Sequence, residues 1–348
     1  MCGLLELACV NACDRSCRIS VVARLSYTSS MPYTADEIEA IRADLFADDV
    51  MYDAETLANL KEDQLIKFFE SGGTELPFMA IIGPAMKHSK NPEKEHMVFP
   101  EKALLGRPTK MKTAPRHFIL KQPMEGPWPP GYQVALLANG CFWGSEKGMW
   151  RLPGVFSTAV GYAAGYTPNP TYAEVCSAQT GHTEAVQVVF DPGRISFVDI
   201  LRWFWESHDP TCGMRQGSDV GTQYRSGAYW FDDEQKELIL ASKAAYEEVL
   251  GRPITTECAG ASDYDQYGEA FYYAEAHHQQ YLARPGARPY CSAQPQQVSL
   301  PPFESWCPSS ALASKHAPKL PEAFWAKHGP KPHCVLKSPD APIEMGDW

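Results

Sequence analysis

A chain of 348 residues with eleven cysteines has thiol chemistry open to it, and the first question is which thiol is placed to react. An odd number cannot all pair within one chain, so at least one stays a thiol. Their spacing is irregular, and the chain carries nine Trp and 44% hydrophobic residues. That excludes a disulfide-stapled mini-fold and favours a reducing compartment with a few working cysteines. Cys141 has the most informative setting. Gln133 to Ala138 is an apolar run of strand length, Asn139-Gly140 reads as a turn, and Ser145 to Leu152 is helix-like, so the cysteine stands where a strand hands over to a helix. A helix N-terminus presents unpaired N–H groups and the positive end of the dipole, which favour thiolate over thiol. Position alone leaves a second reading open, a buried inert Cys among core aromatics.

The other candidate ligands and nucleophiles carry less. Cys9, Cys13 and Cys17 share one helical face but have no His partner and no C-x-x-C pair, and His208 and His277-His278 have no companion cluster, so no metal site is expected. Cys176, Cys212 and Cys258 have no base or cation beside them in sequence and read as inert thiols.

The string around Cys141 decides between its two readings. Gly140-Cys141-Phe142-Trp143-Gly144 resembles the active-site signature of peptide methionine sulfoxide reductases of the A type, which reduce the S epimer of methionine sulfoxide. The likeness continues in order through Gly161 to Tyr172, Gly181 to Val186, Trp205 to Thr211, Gly217 to Ser226 and Ala274 to Leu282. It spans about 200 residues, from the His96 region to Pro302, and such a collinear set is far more specific than any one pentapeptide.

The resemblance implies an α+β fold with a two-layer, ferredoxin-like core, and an enzyme of protein repair under oxidative stress. Its substrates are oxidised peptides, proteins and free methionine S-sulfoxide. Cys141 would attack the sulfoxide sulfur while the oxygen, a poor leaving group as oxide, is protonated. A carboxyl desolvated by burial stays protonated near neutral pH, and Glu184 at the start of the strand Ala185 to Phe190 takes that role. Matched position by position, Tyr172 and Tyr224 supply hydroxyls to the oxygen and Asp219 joins the polar network around them. Phe142 and Trp143 wall an apolar pocket for the methyl group, a contact worth about 0.3–1.5 kcal/mol. Attack leaves Cys141 as a sulfenic acid, which a second thiol condenses with to a disulfide. Cys291 is that thiol, in a Pro/Gly/Gln arm from Pro285 to Gln297, with thioredoxin or another dithiol as reductant and no cofactor.

The chain departs from the family pattern in the recycling region. A second recycling Cys is usual in a Val-Cys-Leu-Pro-Pro context, and here the residues are Val298-Ser299-Leu300-Pro301-Pro302. Ala293 to Gln296 replaces a Gly-rich stretch, and His277 stands where a Tyr is usual. Cys307, in a Trp-Cys-Pro setting, could substitute as the second recycling thiol. Two other functions compete: a peroxide reductase using the same Cys141, and a redox-sensing interaction protein with a degraded core, against which the complete set Cys141, Glu184, Tyr172 and Tyr224 argues.

These residues need elements to hold them. Beyond the strand and helix around Cys141, strands are expected at 185–190 and about 227–231. Ser196 and Asp199 form a capping box for a helix from Phe197 to Ser207, and a long helix runs from Asp232 to Gly251. The organisation reads as an arm or leader at 1–30, an acidic helical module at 31–83, a linker at 84–130, the catalytic domain at 131–302 and an irregular Pro-rich tail at 303–348 without a core of its own. Between Met31 and Pro77 twelve acidic residues face three basic ones, so much of the net charge of −11 sits there. A solvated helix pair or an adaptor for a basic partner would both account for that charge. Neither nucleic acid nor an anionic membrane suits this surface, and no apolar run approaches the roughly 20 residues of a bilayer span. A cytoplasmic monomer is expected. The alternative location is mitochondrial or another organelle, if the Arg-containing, Ser/Thr-rich residues 1–30 are a transit peptide.

Overall fold

The computed structural model describes residues 92–332 and 334–348. The expected N-terminal arm and acidic helical module lie outside the described residues. Everything that follows concerns the remainder.

Strand β1 (Gln133–Asn139) leads through Gly140 and Cys141 into helix α1 (Phe142–Trp150), then to β2 (Val155–Ala163), the short helix α2 (Tyr172–Cys176) and β3 (Thr183–Phe190). Helix α3 (Phe197–Glu206) follows, then the two-residue strands β4 (Arg215–Gln216) and β5 (Asp219–Val220), β6 (Ser226–Trp230), helix α4 (Asp233–Leu250), β7 (Glu257–Gly260) and β8 (Phe271–Tyr273). Six strands form one mixed sheet in the order β7-β6-β1-β3-β2-β8, and β4 pairs β5 separately. Only β6 and β7 run parallel. The architecture is a mixed α/β fold.

Local sequence explains the boundaries. The Ser196 hydroxyl accepts the Asp199 N–H while Asp199 returns to the Ser196 N–H, the reciprocal pair that starts α3. Asp232 caps α4 at Gln235, and Gly251, left-handed at φ +67°, ends it. Strand β1 is buried on both faces from Ala135 onward, so it reads as a continuous apolar run rather than an alternation. Sequence reasoning did not find β2, β7 or β8. β2 mixes Ser157, Thr158 and Gly161 with its apolar residues, and β7 and β8 are too short to show a period.

Strand alternation sorts the two faces of the sheet. Leu136, Ala138, Ala159, Ala163 and Ala185 share a cluster with Met124, Tyr229 and Phe271. Glu184, in phase opposite to Ala185, points to the other face, on which α1 packs against β2 and β3.

The segment expected as a linker wraps onto the domain: Arg107 bonds Glu174 at 2.8 Å, and buried His117 bonds the Thr158 hydroxyl at 2.9 Å. The tail differs from the expected irregular chain. It holds helices α5 (Ser310–Lys315), α6 (Glu322–His328) and α7 (Cys334–Lys337), with Phe324 and Trp325 buried. Docking explains this order. Asp199, whose side chain already caps α3, also accepts the backbone N–H groups of Lys319 and Leu320 at 2.8 and 3.3 Å. Lys147 on α1 pairs Asp340 at 2.5 Å, and the Trp150 indole donates to the Asp340 carbonyl at 2.8 Å. Among the described residues no helix is long and apolar enough to cross a membrane.

Candidate active site

The tight turn between β1 and α1 places Cys141 at the N-cap of the helix. Gly140 makes the turn possible: at φ +91° it occupies backbone space an L side chain rarely adopts, and a Cβ there would lie 2.6 Å from the Gln216 side chain. Cys141 is 7% exposed. The expected dipole effect is present, because the Trp143 N–H bonds the sulfur, but it is outweighed. Burial, followed by the carboxyls of Glu184 and Asp219, pushes the thiol well above its ordinary value. The helix start favours the thiolate, as expected from the sequence, while burial favours the thiol. Sequence could place the helix start but not the depth of the site.

Glu184 meets the helix start directly, its Oε2 accepting the Phe142 N–H at 3.0 Å. It is 2% exposed, and burial raises its carboxyl well above the usual range; the Phe142 bond opposes that rise, and nearby Asp219 and Glu275 add to it. A carboxyl held in this way keeps its proton to a higher pH than an ordinary one. On the neighbouring strand Tyr162 sits opposite Glu184, and its hydroxyl donates to Glu275 at 2.7 Å.

Tyr172 opens α2, capped by Thr171, and its backbone N–H donates to Glu275 at 2.8 Å. Its hydroxyl is hydrogen-bonded to the thiol of Cys176, which burial pushes up to about 12, so Cys176 adjoins the site as a thiol. Tyr224, half-buried, closes the short turn Thr222–Tyr224 after β5. Burial, followed by its neighbours Glu184, Cys176, Asp219 and Cys141, raises its phenol well above its ordinary value, which places it among these groups. Asp219 accepts the Tyr290 hydroxyl, and burial raises its pKa. Phe142 and Trp143 are buried beside the cysteine, with ring centroids 6.4 Å apart, and Phe142 lies 6.0 Å from Tyr162.

Cys291 comes to the same helix from the arm. A Cβ added to Gly144, one turn beyond Cys141, would lie 2.5 Å from the Cys291 sulfur. The arm contains no helix or strand from 285 to 302, yet it is fastened along its length. Tyr290 bonds Asp219, the Gln294 N–H bonds Gln216 at 3.2 Å, the Tyr246 hydroxyl bonds the Val298 carbonyl at 3.1 Å, and the Leu300 N–H bonds Glu206 at 2.9 Å. Ser299 is exposed, and the Cys307 sulfur lies 3.1 Å from the Ser309 carbonyl. Cys141, Cys176, Cys212, Cys258, Cys291 and Cys307 are all outside any disulfide.

The structure thus brings together all eight residues named from the sequence, and adds some that sequence reasoning passed over. Glu275, His278 and Tyr281 lie in the family-like string Ala274 to Leu282, but of the three only His278 was singled out, and only for a metal reading. Tyr290, one residue before Cys291, gave no signal of its own. Among the described residues no group of three or more His, Cys, Asp or Glu is placed to hold a metal.

A buried thiol, a carboxyl of raised pKa bonded to the same helix start, phenols beside them and a second thiol one turn away can reduce an electrophilic oxide of sulfur. Known proteins point to the same chemistry. Residues 133–303 match the family model described as peptide methionine sulfoxide reductase. Peptide methionine sulfoxide reductase MsrA 1 of Synechocystis sp. is 51% identical over 213 residues, which cover 60% of this chain and 92% of the relative. The MsrA protein of Azorhizobium caulinodans is 53% identical over 207 residues, 58% of this chain and 91% of the relative. Among solved structures, methionine sulfoxide reductase A of Corynebacterium diphtheriae aligns with a TM-score of 0.49 at 35% identity, over 57% of this chain and 99% of its own. With about half its residues shared over nine-tenths of these relatives' length, the chain belongs to the peptide methionine sulfoxide reductase family, in its A type.

Proposed function

We propose that Cys141 is the nucleophile, Glu184 the acid and Cys291 the resolving thiol of methionine-S-sulfoxide reduction in peptides, proteins and the free amino acid. The observation that carries this reading is the shared helix start: the buried Glu184, its carboxyl pKa raised by burial, bonds the N–H of the residue next to the buried Cys141. In the net step the sulfoxide oxygen moves to Cys141. The S–O bond of the substrate breaks, a new S–O bond forms, the substrate leaves as methionine, and Cys141 becomes a sulfenic acid. Glu184 lends its proton to the oxygen as the S–O bond stretches. The proton that left Cys141 balances the product, so the carboxyl is restored each cycle. Tyr172 and Tyr224 hydrogen-bond the oxygen, with Tyr172 turning from Cys176 when substrate enters, and Asp219 holds the arm through Tyr290. Phe142 and Trp143 take the methyl group on the opposite side, so one hand of the sulfur fits both walls.

The Cys291 thiol then attacks the sulfenic sulfur, releasing water and forming a Cys141–Cys291 disulfide. Two electrons from an external dithiol of the thioredoxin kind return both thiols. No cofactor enters the cycle. Ser299 removes one thiol from the usual relay, which favours direct attack on this disulfide. All the groups named come from one chain, in keeping with a monomer, and the thiol cycle suits the reducing cytoplasm. The inner strands β6-β1-β3-β2 with α1 and α3 support a two-layer, ferredoxin-like reading of the catalytic domain at 131–302.

The test is single turnover with a methionine-S-sulfoxide peptide, without reductant. Wild type should release one equivalent of methionine peptide, and Cys141→Ser none. A Cys141→Ser enzyme that still turns over would remove the nucleophile from this thiol.

A further inference from the structure

The short turn that carries Tyr224 is held through its backbone from two sides. Thr222, Gln223 and Arg225 around it are buried, and Tyr224 alone of the four is half-buried. On one side the Arg225 guanidinium donates to the Thr222 carbonyl at 3.0 Å and to the Ala164 carbonyl, just past β2, at 2.9 Å. It also pairs with Glu257 on β7 at 2.8 Å, and the hydroxyls of Tyr229 and Tyr264 donate to the same carboxylate at 2.6 and 2.9 Å.

On the other side stands Thr183, the first residue of β3, wholly buried. Its hydroxyl lies 3.1 Å from the Gln223 carbonyl and 3.0 Å from the Arg225 carbonyl, the two carbonyls that flank Tyr224. A hydroxyl has one proton to donate, so the two carbonyls share it. Glu184 follows Thr183 directly, and β3 is fixed here by pairing with β2, Thr183 opposite Ala163 and Glu184 opposite Tyr162. One stretch of strand therefore presents the carboxyl to the site and clasps the turn of the phenol.

We infer that Thr183 is a positioning residue of the reaction: its hydroxyl sets the place of Tyr224 relative to Glu184, so that carboxyl and phenol meet one sulfoxide oxygen together. This rests on the reading above that both groups act on that oxygen. The contribution belongs to alignment during S–O cleavage and not to substrate binding, because the hydroxyl holds only backbone carbonyls. Misplacement of a reacting group by about 1 Å can cost up to about 100-fold in rate.

The test is a double-mutant cycle in single-turnover kinetics with a methionine-S-sulfoxide peptide and no reductant. Thr183→Val keeps the branched shape and removes the hydroxyl. The rate constant at saturating peptide should fall about tenfold, with the half-saturating concentration within about threefold and the pH profile unmoved. Thr183→Ser keeps the hydroxyl and should stay within about threefold of wild type. Tyr224→Phe should be slower than wild type by at least as much as Thr183→Val, and in that background Thr183→Val should change the rate by less than about twofold. Should Thr183→Val not fold, Thr183→Ala takes its place in the same cycle, with the same loss of effect beside Tyr224→Phe expected. Equal falls in the two backgrounds, a shifted pH profile, or a Thr183→Ser enzyme as slow as Thr183→Val would overturn the inference. Tyr224→Phe alone separates it from the reading it rests on. A wild-type rate there would remove Tyr224 from the reaction and Thr183 with it, whereas a slowed Tyr224→Phe combined with additivity would remove only the role of Thr183.

Discussion

The two thiols of the site are held by different kinds of structure. Cys141 sits between a strand buried on both faces and the first turn of a helix, with Glu184 fixed by the adjoining strand. Cys291 sits in a stretch with no regular element, fastened to the domain by separate bonds that include those of Tyr290, Gln294, Val298 and Leu300. The first arrangement controls protonation through burial. The second controls approach, since each fastening can open without disturbing the sheet. Reduction of substrate and regeneration of enzyme should therefore respond separately to mutation.

The largest expected effect breaks both halves together: Cys141→Ser should abolish single and multiple turnover, measured as methionine peptide released. Cys291→Ser should separate them, leaving one turnover intact while thioredoxin-driven cycling stops. Cys307→Ser should change cycling little. Glu184→Gln should keep substrate binding and slow the single-turnover step by about 100-fold or more; an unchanged rate would move the acid role to Tyr172 or Tyr224.

The burial of Glu184 also gives a sign to the pH dependence. Its carboxyl pKa is raised, so the proton is present throughout the ordinary carboxylate range and is lost only as pH rises through the elevated value. The single-turnover rate should hold through the ordinary carboxylate range and decline only at higher pH. A decline centred near the ordinary carboxyl value of 4.5 would contradict the desolvation argument. The smallest effect concerns the tail. Asp340→Ala leaves Lys147, with 5% of its side chain exposed, without its carboxylate, and should lower the urea midpoint by an amount equal to about 1 kcal/mol while leaving kcat unchanged.

The sequence carried the chemistry further than the architecture. Cys141 was legible because its helix start is local, and the boundaries of α3 and α4 because their caps are. The resemblance supplied Glu184, Tyr172, Tyr224 and Asp219, which local pattern could not have separated from solvated loop residues. What sequence could not carry was depth. The thiol is raised rather than lowered because the fold buries it and because Glu184 and Asp219 arrive from other strands. The tail read as irregular because its order comes from partners far away in sequence, such as Asp199 for Lys319 and Leu320. His278 was passed over for a related reason, since its contact is with Trp143, 135 positions earlier.

Peptide mapping by mass spectrometry, after one equivalent of a methionine-S-sulfoxide peptide and without reductant, tests the central claim most directly. The expected result is one equivalent of methionine peptide and a dominant Cys141–Cys291 disulfide. Substrate left unreduced, or a dominant bond from Cys291 to Cys307 or another tail cysteine, would contradict it.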